Sequence, residues 1–278
     1  GMELELTHRN KIGQVAYNLK GIATVTRQKY LTASEKGPWA NSYDRWRNDN
    51  LTNRYQGVQF GYTSAGRYTS WNDIWSYPGY KERDILPGDY KYEDWNGDGE
   101  INGQDEHPFA FDQTPWLQFS LNAGLQWKNL DFNMLLQGSA LGSMEYKEPL
   151  HEIWGKNGGG ALTQFLDRWH PVDPKADPYD PSTVWTSGHY AYTGRWAKNN
   201  SAFNRVSTAY LRLKSIELGY TFPKLKQIPN ASLRIYANAY NLLTFTGVKF
   251  VDPEHPDDDL GRMYPLNKTY TLGVSLSF

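Results

Sequence analysis

Apolar and polar residues alternate with period two along this chain, over stretches longer than most strands. Leu117, Phe119, Leu121, Ala123, Leu125 and Trp127 share one parity, and Gln118, Ser120, Asn122, Gly124 and Gln126 share the other. Successive side chains of an extended backbone point to opposite faces, so this pattern is a strand with one apolar and one polar face. After Lys128-Asn129 it resumes with Leu130, Phe132, Met134 and Leu136 against Asp131, Asn133 and Gln137, which predicts a hairpin. A second hairpin is predicted by Leu4 and Leu6, a turn region Arg9-Asn10-Lys11, and then Val15, Tyr17, Leu19 and Val25. A third runs from Ala209 to Phe222, through a turn from Pro223 to Asn230, and on from Ala231 to Leu243. In the last strand, Lys268 to Phe278, one face holds Tyr270, Leu272, Val274, Leu276 and Phe278. In the strand from Ala209, the apolar parity switches from odd (Leu211, Leu213) to even (Ile216, Leu218, Tyr220, Phe222), which predicts a β-bulge near Lys214-Ser215.

These strands match the ~9–11 residues of a tilted membrane-crossing strand rather than the ~5–6 of an ordinary one. The connections alternate as well, short near Asn10, at 128–129 and at 223–230, but long over 26–115, 142–207 and 244–267. Compact soluble domains rarely contain unstructured links beyond ~12–15 residues. Outer-membrane barrels combine short periplasmic turns with long outside loops. The expected fold is therefore all-β: an antiparallel transmembrane β-barrel segment, an incomplete barrel, with long extracellular loops. Its parts are a barrel hairpin at 3–26, an extracellular segment at 27–115, a barrel hairpin at 116–141, an extracellular loop at 142–207 and C-terminal barrel strands at 208–278. The C-terminus is expected on the periplasmic side, and Trp116, Trp127 and Tyr270 in the aromatic girdles at the two membrane surfaces.

Composition changes the picture in three ways. Aromatics make up 15% of the 278 residues, with 20 Tyr and 11 Trp, yet the mean hydropathy is −0.72. No stretch approaches the ~20 apolar residues of a membrane helix, and a barrel strand, apolar on one face only, is invisible to such an average. With 29 Lys and Arg against 30 Asp and Glu the net charge is −1, which leaves no basic field for nucleic acid. There is no cysteine, which removes thiolate catalysis, Cys-ligated zinc and disulfides. Gly1-Met2-Glu3-Leu4 runs straight into a strand pattern, so an export signal is expected to lie outside this chain.

Several phrases then resemble one family. The run Pro87-Gly88-Asp89-Tyr90-Lys91-Tyr92-Glu93-Asp94-Trp95-Asn96-Gly97-Asp98-Gly99 is one of them. Asp167-Arg168-Trp169, Tyr210-Leu211-Arg212-Leu213-Lys214 and Tyr240-Asn241-Leu242-Leu243-Thr244-Phe245-Thr246 are others. With Asp252-Pro253-Glu254 and the closing 270–278 they resemble, in order, the C-terminal barrel region of SusC-like (SusC/RagA) TonB-dependent outer-membrane transporters. The resemblance implies a plugged barrel of about 22 strands, outer-membrane lipid around it, a SusD-like surface lipoprotein as a lid, and energy from the TonB system. It implies import of oligosaccharides, as in polysaccharide utilisation, or of peptides or other large nutrients, with no bond made or broken. It also implies that the plug, the TonB-contacting segment and roughly half of the strands lie outside this chain. The rival reading is a secreted soluble β-sandwich that binds glycans through aromatic loops.

Residues 94–105 fit a twelve-residue calcium loop, with Asp94, Asn96 and Asp98 at positions 1, 3 and 5, Gly99 at the turning position, the Glu100 carbonyl at 7, Asp105 at 12 and Ile101 as an apolar anchor. The usual bidentate Glu is absent from position 12, and an Asx-rich surface turn is the alternative. The run Asp252 to Asp259 offers paired carboxylates for hydrolysis or a second cation site, but carboxylates adjacent in a loop do not specify the opposed geometry of glycoside cleavage, and the run reads as a solvated loop. The six histidines, His8, His107, His151, His170, His189 and His255, fall singly and suggest no catalytic use. Trp39, Trp46, Trp71, Trp75, Trp154, Trp169, Trp185 and Trp196 stand outside the regular strands, where they would stack on sugars, grip a partner lipoprotein, or pack the loops together.

Overall fold

The computed structural model describes residues 1–33, 38–46, 52–78, 85–147, 150–151, 162–192, 197, 200–223, 231–255 and 261–278. Trp154, Trp196, turn residues 224–230 and Asp257 to Asp259, on which parts of the sequence reading fall, lie outside the described residues. Seven long strands build one antiparallel sheet: β1 (Met2–Ile12), β2 (Val15–Val25), β3 (Leu117–Trp127), β4 (Leu130–Ala140), β5 (Tyr210–Phe222), β6 (Ser232–Thr246) and β7 (Thr269–Ser277). Each pairs with the next in chain order, as short reversals favour antiparallel neighbours.

The register makes the two-faced pattern continuous across the sheet. Tyr17, Leu125, Phe132, Leu218, Ala237 and Leu272 form one row over six strands, and Asn18, Gly124, Asn133, Glu217, Asn238 and Thr271 form the row beside it. One row faces outward and apolar, the next inward and polar, because a one-residue step reverses the face. The predicted bulge is present: pairing of β5 with both neighbours shifts between Leu213 and Ser215. Against β4 the extra residue is Lys214, which restores Ile216 and Leu218 to the apolar face.

One turn differs from expectation. Arg9, Asn10 and Lys11 lie inside β1, paired with Asn18, Tyr17 and Ala16, and the chain reverses at Gly13-Gln14. Gly13 has φ 60°, the backbone that a two-residue hairpin requires at its first central position and that glycine adopts without a Cβ penalty. The turn at Lys128-Asn129 stands where the pattern placed it, with Lys128 at φ 54°.

The apolar face has no partner layer among the described residues. Leu272 is 77% exposed and Val274 66%. The remaining sheets are two-stranded and come from the long connections, so the soluble sandwich lacks the second layer it requires. The buried core instead lies in those connections, where Tyr62, Tyr92 and Ile101 pack with Tyr77, Tyr90 and Phe203, and Phe165 packs on Tyr190. Short helices stand among them, including Trp71–Ser76, whose first turn is capped by the Ser70 side chain accepting from Asp73 N–H. Among the described residues no helix is long and apolar enough to cross a membrane, which says nothing of crossing by strands.

Candidate functional site

Charges on the polar face are joined across strands. Asp131 of β4 and Glu217 of β5 both accept from Arg234 of β6, at 3.0 Å to Nε and 2.6 Å to Nη2. The guanidinium reaches β4 by lying over Gly219 of β5, where a Cβ would stand 2.4 Å from Arg234 Nη2. Glycine here is thus required by the crossing side chain rather than by backbone conformation. Nearer the loop rim, Arg212 takes both Asp252 oxygens at 2.7 and 2.9 Å, and Lys214, the bulged residue, takes both Glu254 oxygens at 3.0 and 2.8 Å. For Asp252 and Glu254, the described carboxylates of the acidic run, this corrects the reading as a solvated loop. Asp252 and Glu254 are pinned to the sheet because their cations sit 40 residues earlier on the strand beneath them.

The 94–105 loop closes on its own backbone. Asp94 accepts from the N–H groups of Gly97, Asp98 and Gly99 at 2.8, 3.2 and 2.9 Å, and Asn96 accepts from Asp98 N–H at 2.9 Å. Asp98 accepts from Glu100 N–H at 2.8 Å, and this bond, then the Asn96 amide, holds its carboxyl below the ordinary carboxylate value. Asp105, fully buried, accepts from Trp95 N–H and Asn102 N–H at 3.0 and 2.7 Å, and so ties position 12 back to both ends of the loop. Gly97 and Gly99 have φ 73° and 84°. Ile101 is buried against Tyr62 and Tyr92, the anchor expected of it. Among the described residues no three His, Asp or Glu side chains form a metal-holding group by themselves. A cation in this loop would therefore need amide and carbonyl oxygens too.

The loop tryptophans mostly find protein partners. Trp46 stacks on Trp95 at 5.8 Å with planes 1° apart, and Trp95 stacks in turn on His107 at 5.0 Å. Trp185 packs edge-on to Tyr192, and Trp169 covers Gly88 so closely that a Cβ would lie 2.3 Å from its ring. Trp75 is exposed, as are the rim residues Trp127 and Tyr270. Trp116 instead lies under the Arg27 guanidinium and against Phe111.

The structure also groups residues that the sequence left apart. His151, His189, Asp167, Arg67 and Tyr190 surround one cavity of ≈580 Å³ among the long connections. Burial, then the nearby Arg67 cation and beyond it Lys249, push the His189 imidazole below its ordinary value against the pull of Asp167. Burial and the neighbouring Tyr90 push the Tyr190 hydroxyl up to about 12. Their wide separation along the chain gave no signal for this grouping.

No protein-family model matches the chain. TonB-dependent receptor P3 of Formosa agariphila is 28% identical over 211 residues, which cover 70% of this chain and 19% of that protein. TonB-dependent receptor P26 of the same organism is 27% identical over 239 residues, 81% of this chain and 22% of that one. The chain thus spans about a fifth of the length of the curated relatives it matches. A structure of the RagAB peptide transporter superposes with a TM-score of 0.59 at 20% identity, covering 99% of this chain and 29% of that one. The RagAB peptide importer in its closed-closed state gives a TM-score of 0.59 at 18% identity over the same 99% and 29%.

Proposed function

We propose that this chain, homologous to the TonB-dependent receptors and folded as an open part of a transporter barrel, forms a stretch of the wall of an outer-membrane importer. The exposed apolar face carries this reading. A strand of 11 residues spans about 36 Å at ~3.3 Å per residue, and a tilt of ~45° turns that into a height of about 26 Å, which matches the ~25 Å apolar band of outer-membrane barrels. On this face the aliphatic rows meet lipid. On the other, the amide, hydroxyl and paired-charge rows line the path of the cargo.

In the full-length protein the free edges of β1 and β7 pair with further strands, since free sheet edges are not tolerated in hydrocarbon. The turns at Gly13-Gln14 and Lys128-Asn129 lie on the periplasmic side and the long connections outside. TonB supplies the energy, a SusD-like lipoprotein covers the outer mouth, and the cargo is an oligosaccharide or another large nutrient. The resemblance supports these assignments, and the TonB-dependent receptors among the relatives support the dependence on TonB. The test uses single cysteines in the full-length protein on whole cells, with an impermeant thiol reagent. Asp98→Cys should react and Lys128→Cys should not. The opposite pattern reverses the topology, and a full-length protein that stays monodisperse without detergent removes it from the membrane.

A second reading concerns residues 94–105. We propose that they hold calcium through Asp94, Asn96, Asp98, Asp105 and the Glu100 carbonyl. What supports it is the return of Asp105 to Trp95 N–H together with the positive φ of Gly99 at the sixth position. Sites of this kind outside cells bind at about 10⁻⁴–10⁻³ M, so the ion would order the loop at millimolar calcium. Calorimetry on wild type and Asp98→Ala tests it, and the absence of wild-type binding at such concentrations sinks it.

A further inference from the structure

The cavity among the long connections is lined by more cations than carboxylates. Arg67, Arg205 and Lys249 border its ≈580 Å³ against Asp167, and the volume lies within the ~300–1,000 Å³ of small-molecule sites. Arg205 is already engaged, by Gln59 Oε1 at 3.1 Å, Ser143 Oγ at 3.2 Å and Glu145 at 3.7 Å. Arg67 is held by neutral groups instead. It lies over the Tyr90 ring at 4.0 Å and donates to the carbonyls of Gly88, at 2.9 Å, and His189. Asp89 also attracts it, but that carboxylate is buried and accepts from Leu86 N–H.

Lys249 is fixed in place while its charge is left over. The Tyr146 hydroxyl accepts from Lys249 N–H at 2.9 Å and donates to the Lys249 carbonyl at 2.8 Å. The ammonium has no hydrogen-bond or ion-pair partner among the described residues. The next residue, Phe250, takes φ 71°, a backbone that costs a bulky residue energy and that clusters at ligand sites. Burial first, then Arg67 and beyond it Lys249, hold the His189 imidazole below its ordinary value, so Asp167 does not cancel the cations on this wall.

We propose that this cavity binds a small organic anion, an oxyanion group carried on a flat ring. The oxyanion meets Lys249 and the N–H groups of Arg67, whose planar fork suits paired oxygens. The ring packs among Tyr146, Tyr190 and Phe250, which bring flat apolar surface to the same cavity. A neutral ring would leave both cations unanswered. The lining comes from the long connections and includes no residue of β1 to β7, so the assignment does not depend on which face of the sheet meets lipid.

The experiment is calorimetric titration of purified full-length protein in detergent with nicotinate, pyridine-3-sulfonate, nicotinamide and acetate. A Kd of about 0.1–1 mM is expected for at least one of the two ring anions, and the tighter of them distinguishes a carboxylate from a tetrahedral oxyanion. Nicotinamide, the same ring without the charge, should bind at least about tenfold more weakly. Acetate, the charge without the ring, should also be weaker. Lys249→Gln should weaken the ring anion about tenfold and leave thermal unfolding unchanged, because its ammonium supports nothing else. Asp167→Asn should tighten binding about two- to threefold by removing the opposing charge. No binding of either ring anion at ~10 mM, nicotinamide or acetate as tight as the ring anions, or two variants that both bind like wild type overturns the proposal.

Discussion

Placing a charge on the outer face should be far costlier than placing it one residue away. Val274 lies four positions from Tyr270, on the same face of β7, and four from Phe278, which follows the end of that strand. At ~3.3 Å per residue and a tilt of ~45°, it stands about 9 Å in depth from either ring, at the middle of the apolar band. Val274 is 66% exposed, so an arginine there could not fold into protein and would face hydrocarbon. The expected loss for Val274→Arg is about 2–4 kcal/mol, or about 30- to 700-fold in the folding equilibrium. Thr271, in the polar row beside Asn238, is the control, and Thr271→Arg should cost no more than about 0.5 kcal/mol. Reversible denaturant unfolding of the full-length protein in phospholipid vesicles, read by the folded fraction on unheated gels, measures both. Equal losses for the two variants would refute the assignment of this face to lipid.

Three further outcomes follow from the geometry. Gly219→Ala should displace Arg234 and cost about 1–2 kcal/mol through the weakened bonds to Asp131 and Glu217; in an Arg234→Ala background most of that cost should vanish, which a double-mutant cycle in denaturant checks. Arg212→Met should cost about 3–5 kcal/mol by leaving Asp252 uncompensated, nearer the lower figure because Lys214 still holds Glu254; thermal unfolding of the full-length protein measures it. Burial and the Arg67 cation push the His189 imidazole below its ordinary value in the fold, whereas the unfolded chain takes up a proton near about pH 6.5, so stability is flat above that value and falls as pH drops through it. Hydrogen exchange of residues 162–192, corrected for intrinsic rates, should therefore rise below about pH 6.5, and His189→Gln should abolish the rise.

Alternation alone determined the strands, their faces and the bulge, because a period of two is set by the backbone and needs no knowledge of distant residues. Leu125 and Leu218 could be placed on the same face before either had a partner. Turn position was less legible. The polar run at Arg9-Asn10-Lys11 suggested a reversal, whereas one positive φ at Gly13 decided it. The spacing of Asp94, Asn96, Asp98 and Gly99 was local and so could be read, and the loop does curl around those side chains. What only the tertiary structure decided is every contact made by residues distant in sequence. Arg234 meets Asp131 across 103 positions, and Arg212 meets Asp252 across 40. Neither pairing has a local signature, since a charged residue on a polar face satisfies the alternation whether it meets water or a partner.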